Sequence, residues 1–103
     1  MVIVWLPEAR KHLKDIYLFY KTNRSQIAAM KVRKEIYSSV THLKKFPLID
    51  PLEIFSKATS KVYHSLVVNK YFKIVYFIGE KKIHITAIFD CRQNPITNEM
   101  KIK

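Results

Sequence analysis

One glycine, one cysteine and eight acidic side chains among 103 residues are what this chain has least of. A single glycine, Gly79, leaves no glycine-rich loop to wrap a phosphate, and no HExxH, CxxC or GxSxG spacing occurs. Nucleotide-cofactor and zinc chemistry therefore have no motif to rest on. The lone cysteine, Cys91, rules out an internal disulfide framework and fits a reduced, cytoplasmic setting. Together with four scattered histidines it makes a poor zinc site, so neither metal nor cofactor is expected. Long apolar runs are missing as well. The longest lies around residues 74–78, against the roughly 20 residues of a membrane span, and Pro7, Glu8 and Arg10 interrupt the opening. Neither a span nor a secretory signal is expected.

What is abundant is positive charge: 19 basic side chains give a net +11. Hydrophobic residues make up 49% and include 13 aromatics spread from Trp5 to Phe89, too many for a disordered chain despite the charge. One globular domain spanning 1–103 follows from the length. Its positive field favours polyanions or acidic proteins as partners, without choosing among RNA, DNA and protein.

A short β-prone run, Val2 to Trp5, leads into Leu6-Pro7-Glu8, where proline near the first helical position and an acid in the first turn start a helix. Ala9, Leu13, Ile16, Tyr17 and Tyr20 form one apolar stripe on about four turns, with Arg10, Lys11, Lys14 and Lys21 on the other face. Thr22-Asn23-Arg24-Ser25 breaks the pattern and offers capping side chains. Ala29, Val32, Ile36, Val40 and Leu43 then mark a second helix to about Lys45, stopped by Phe46-Pro47. The short break predicts an antiparallel helical hairpin over about 7–45. Residues 47–61 show no period and read as a surface loop. Residues 62–68, 71–78 and 83–90 read as three strands of an antiparallel meander, and 91–103 as a basic tail.

Centring the turns on Asn69-Lys70 and Glu80-Lys81 sets Leu66 opposite Lys73 and Lys73 opposite Ile88. One face then carries Val67, Phe72, Ile74, Tyr76, Ile78, Ile83, Ile85, Ala87 and Phe89, an apolar surface for the helices to cover. The other carries His64, Leu66, Lys73, Val75, His84, Thr86, Ile88 and Asp90, with Arg92 just past the strand end. A Lys, an Arg and a His on one surface, here Lys73, Arg92 and His64, can grip a phosphate and supply a proton donor or acceptor near neutral pH. That chemistry suits metal-free RNA cleavage. The plain structural alternative has Lys73 snorkelling, Arg92 paired with Asp90 and His64 as an ordinary sheet residue. Parity assigns Tyr63 and Tyr76 to the core, leaving Tyr71 as a candidate stacking residue.

Taken in order, Val4-Trp5-Leu6-Pro7-Glu8-Ala9 running into Leu13-Lys14-Asp15-Ile16-Tyr17, then Leu43-Lys44-Lys45-Phe46-Pro47, Phe72-Lys73-Ile74-Val75-Tyr76 and Phe89-Asp90-Cys91-Arg92-Gln93-Asn94-Pro95 resemble the RelE/ParE superfamily of toxins. The resemblance covers nearly the whole chain. It implies an α+β fold of order β-α-α-β-β-β, with the helical hairpin packed on one face of an antiparallel sheet. It also implies a growth-inhibiting, plasmid-stabilising toxin of a type II toxin–antitoxin pair, held in check by an acidic antitoxin. RelE-like members cleave mRNA in the ribosomal A site, whereas ParE-like members poison DNA gyrase. The RelE-like catalytic positions correspond to His64 and Leu66, Lys73, Arg92 and Asn98, of which Leu66 and Asn98 depart from the family's pattern. The Trp5 and Ala9 opening, the long hairpin and the Arg92-to-Pro95 ending resemble the ParE branch. On that reading Arg92, Lys73, Tyr71 and Asp90 are the candidate target-binding residues; on the RelE-like reading His64, Lys73 and Arg92 are catalytic. A remnant that only binds its antitoxin is the third reading.

Overall fold

The computed structural model describes residues 2–45, 53–56 and 61–91. Strand β1 (Val2–Trp5) runs into helix α1 (Pro7–Asn23), which turns back through α2 (Gln26–Lys45). Strands β2 (Glu53–Ser56), β3 (Lys61–Val68), β4 (Phe72–Gly79) and β5 (Lys82–Asp90) follow, in the sheet order β1-β5-β4-β3-β2. The sheet is antiparallel except that β1 lies parallel to β5 at one edge, so the expectation of a wholly antiparallel sheet is corrected there. Two helices lie between β1 and the meander, which gives the chain room for that crossover. Strand β2 corrects a second expectation. It falls within the stretch read as a loop, where four residues with no clean period gain their extended form from pairing with β3. Phe46, Pro47 and the tail from Arg92 onward lie outside the described residues.

Both helices form where the apolar stripes required them. Pro7 opens α1 with Glu8 beside it, and Leu6 donates its N–H to the Ile85 carbonyl, extending the β1 ladder by one step into the helix. Ser25 opens α2, its hydroxyl oxygen accepting the N–H of Ala28 at 3.0 Å. The buried stripes Ala9, Leu13, Ile16, Tyr20 and Ala29, Val32, Ile36, Val40, Leu43 meet one face of the sheet. From that face come Val68, Phe72, Ile74, Tyr76, Ile83, Ile85 and Ile88. The result is a two-layer core.

The turns determine which strand residues belong to that core. At β4–β5 the two-residue turn Glu80-Lys81 has both φ values positive, 54° and 60°, and Gly79 pairs with Lys82 as anticipated. At β3–β4, however, three residues rather than two turn the chain, Asn69, Lys70 and Tyr71, so Val68 pairs with Phe72 and Leu66 with Ile74. That one-residue slip reverses every side chain of β3. His64 and Leu66 therefore face the helices, while Tyr63 and Val67 face away. A register shift between Val75 and Tyr76 does the same to the end of β5, leaving Thr86 as the extra residue, with its hydroxyl donating to the Val75 carbonyl at 3.0 Å. Beyond the shift, Lys73 pairs with Phe89 and Ile74 with Ile88. Ile88 and Asp90 join the helix-facing layer; Ala87 and Phe89 move to the other.

Beyond β1, the edge of β5 is covered by α1. His12 accepts the backbone N–H of Ile88 on Nδ1 at 3.1 Å, with its ring 5.6 Å from that of Phe89 and its Nε2 3.7 Å from the Glu8 carboxylate. A side chain of α1 thus serves an N–H that a longer β1 would have served. No helix among the described residues is long and apolar enough to cross a membrane.

Candidate functional site

The register separates the residues that sequence parity placed together. His64 lies in the helix-facing layer, 7% exposed and stacked on Tyr76 with ring centroids 5.3 Å apart. Its Nδ1 has no hydrogen-bond partner among the described residues. Lys73 is half-buried on the opposite face, across from Val67 on one side and Phe89 on the other. Asp90, expected on the same face as Lys73, is only 5% exposed and accepts the hydroxyl of Tyr20 at 3.1 Å. Its carboxylate ties α1 to β5. Tyr71 is exposed in the β3–β4 turn, where it donates its N–H to Val68 and accepts that of Cys91 at 2.7 Å. Arg92 and Asn98 lie outside the described residues. Lys73 and Tyr71 thus remain at a surface, while His64 and Asp90 are interior. Among the described residues no three His, Cys, Asp or Glu side chains form a metal-ligand set.

A second surface was only half visible in the sequence. Between the helices runs a groove of about 360 Å³ lined by Arg10, Leu13, Lys14 and Tyr17 of α1 and by Arg33 and Tyr37 of α2. Arg33 sits over two rings, its guanidinium carbon 5.7 Å from the Tyr17 centroid and 6.0 Å from that of Tyr37. Trp5 braces Tyr37 from β1, with ring centroids 5.3 Å apart. The cation is held over aromatic faces before any partner arrives. Among the described residues three basic side chains and no carboxylate line this groove, and the hairpin as a whole carries ten basic against three acidic residues. The basic flank of α1 was evident from its spacing. Arg33 and Tyr37 at i and i+4 on α2 were the unused signal for the other wall.

The order of elements and the two-layer packing define an α+β domain of the RelE/ParE kind. A family model described as the ParE toxin of the type II toxin–antitoxin system, parDE, matches residues 3–95, and the chain belongs to this family. It is a ParE-like toxin of a type II toxin–antitoxin system, with a cognate antitoxin as partner. In fold it is similar to a solved structure described as the chromosomal ParDE TA system from P. aeruginosa. The TM-score is 0.72 at 21% identity, over 87% of this chain and 95% of that one. No curated protein matches the sequence significantly.

Proposed function

We propose that this toxin inhibits growth by binding DNA gyrase through Arg92 together with the sheet face that carries Lys73 and the Tyr71 turn beside it. The observation that carries the reading is the burial of His64. A proton-transfer group for 2′-hydroxyl attack must reach the scissile nucleotide, and an imidazole stacked on Tyr76 beneath the helices does not share a surface with Lys73. Membership of the ParE family supports the same side of the choice.

The antitoxin engages a different surface on this reading. The groove around Arg33 has an apolar floor, two tyrosines and three cations, which suits an acidic segment that lays apolar side chains on Leu13 and its carboxylates toward Arg10, Lys14 and Arg33. Toxin and antitoxin therefore attract each other by charge while the target-binding face stays separate.

Two assays run side by side test the proposal: gyrase supercoiling, and a translating ribosome whose mRNA is mapped by primer extension. Inhibited supercoiling with intact mRNA is expected, and Lys73→Ala with Arg92→Ala should abolish the inhibition without weakening the antitoxin complex. Cuts in the A-site codon that vanish with His64→Ala would instead establish the RelE-like enzyme. Failure to inhibit growth on expression, with the antitoxin still bound, would leave only a binding remnant.

A further inference from the structure

At the other end of the strands from Tyr71, on the face away from the helices, an open cleft of about 780 Å³ lies among the start of α1, the start of β3 and the β4–β5 hairpin. Its floor is a stack of rings. Phe77 and His84 lie nearly parallel, 9° apart with centroids separated by 4.5 Å, and Tyr63 meets Phe77 edge-on at 5.7 Å. Lys61 places its ammonium 4.2 Å from the Phe77 centroid. His84 Nε2 lies 3.1 Å from the Gly79 carbonyl, so this nitrogen carries the proton and the ring is fixed in plane. Gly79 keeps a clear space here, since a Cβ would sit 3.5 Å from the Phe77 ring and 3.9 Å from His84 Nε2. Glu8 and Glu80 bring two carboxylates to the rim of a cleft in a chain that has only eight acidic residues.

This combination differs from the hairpin groove, which sets cations and tyrosines around Leu13. His84 covers one face of Phe77 and Lys61 stands over the ring from the β3 side, so the outer face of His84 is the one left to a planar π system, and stacking on it is tolerant of which base it receives. The carboxylates choose among bases: one carboxylate accepts two parallel N–H bonds from the N1–H and N2–H₂ edge of guanine, whereas adenine offers a single amino group beside a bare ring nitrogen. Lys61, on a flexible stem, supplies the charge for a phosphate attached to that base. The cleft volume falls in the ordinary range for small-molecule sites.

We propose that this cleft binds a guanine nucleotide, its base stacked on the outer face of His84, its Watson–Crick edge against Glu8 or Glu80, and its phosphate held by Lys61 once that side chain swings off the Phe77 ring. The site lies apart from Lys73 and Tyr71 and does not depend on the gyrase reading. The nucleotide can be free or part of a single strand, since the recognised chemistry is the same.

The test is a titration of the full-length chain with GMP, CMP, inorganic phosphate, N-acetyl-arginine amide and a dT-dG-dT trinucleotide, with affinities read by calorimetry for every variant and the site of binding read in the native chain from the His84 ring proton resonances. GMP should bind saturably and move those resonances upfield by ring current, with CMP weaker. His84→Ala should weaken GMP roughly tenfold, the size of a lost base–aromatic stack. Glu8→Gln with Glu80→Gln should remove the preference for GMP over CMP, and these two exposed positions leave the core untouched. A trinucleotide that binds more tightly than GMP identifies the strand as ligand; equal affinity identifies the free nucleotide. The proposal is overturned if phosphate alone reproduces the shifts, if the arginine amide takes the cleft more tightly than GMP, or if no ligand moves the His84 resonances.

Discussion

A buried imidazole whose nitrogen finds no partner among the described residues is a poor use of a histidine unless the ring itself is what matters, and at position 64 the ring stacks on Tyr76. Replacing it by phenylalanine keeps the shape and removes that polar atom. His64→Phe should therefore leave the toxin as stable as before, or more stable by about 1 kcal/mol, with growth inhibition intact. Loss of toxicity in a folded His64→Phe protein would return the residue to a chemical role. Tyr20 presents the opposite case, because its hydroxyl donates to the buried Asp90 carboxylate across 70 residues of sequence. Tyr20→Phe should lower stability by about 1.5–3 kcal/mol in urea unfolding, the range for hydrogen bonds to charged groups. An unchanged midpoint would mean that the other contacts of Asp90 carry the bracing. Sequence parity misplaced both His64 and Asp90 for reasons that no single residue discloses.

The reasons lie in the elements. Both helices were legible because their stripes repeat over four or more turns, and a misjudged terminus does not move a stripe. A strand gives no such protection, since one residue more in the Asn69-Lys70-Tyr71 turn carries all of β3 to the other face, and the shift at Thr86 does the same to the end of β5. Nothing in the composition of Asn69-Lys70 distinguishes a two-residue from a three-residue turn, and β2 owes its existence to a neighbour. Lys73 falls on the expected face because it alternates with the core residues Phe72 and Ile74 of its own strand, and His84 because the turn-centred pairing holds from Gly79–Lys82 as far as Phe77–His84. The β4–β5 hairpin has a weakness of its own. Glu80 and Lys81 hold left-handed φ values where hairpins ordinarily use Asn-Gly, and the only glycine sits one position before the turn. Lys81→Gly removes a steric cost of about 1–2 kcal/mol and gives back part of it as unfolded-state entropy. A net gain of about 0.5–1 kcal/mol is expected, seen as a higher thermal midpoint. A lower midpoint would show that the lysine side chain contributes more than its backbone geometry costs.

Over the whole molecule the dominant quantity is the charge of +11, most of it on the hairpin. Like charges gathered on two adjacent helices repel one another, and an acidic segment docked as proposed would relieve that repulsion as it binds. The same field guides the encounter: its range is about 10 Å at 0.1 M ionic strength, well beyond hydrogen-bonding distance, so steering acts before any contact forms. Raising NaCl from about 50 mM to about 500 mM should therefore slow toxin–antitoxin association about tenfold or more while the dissociation rate changes little. The toxin alone should become more stable over the same interval, because salt screens its self-repulsion. Arg33 allows steering to be separated from docking. Arg33→Lys keeps the charge but gives up the planar cation between Tyr17 and Tyr37, so it should leave the association rate nearly unchanged and speed dissociation. Lys14→Gln should slow association and leave dissociation nearly unchanged. If Arg33→Lys altered neither rate, the antitoxin would dock elsewhere on the molecule, and the hairpin charge would act only at a distance.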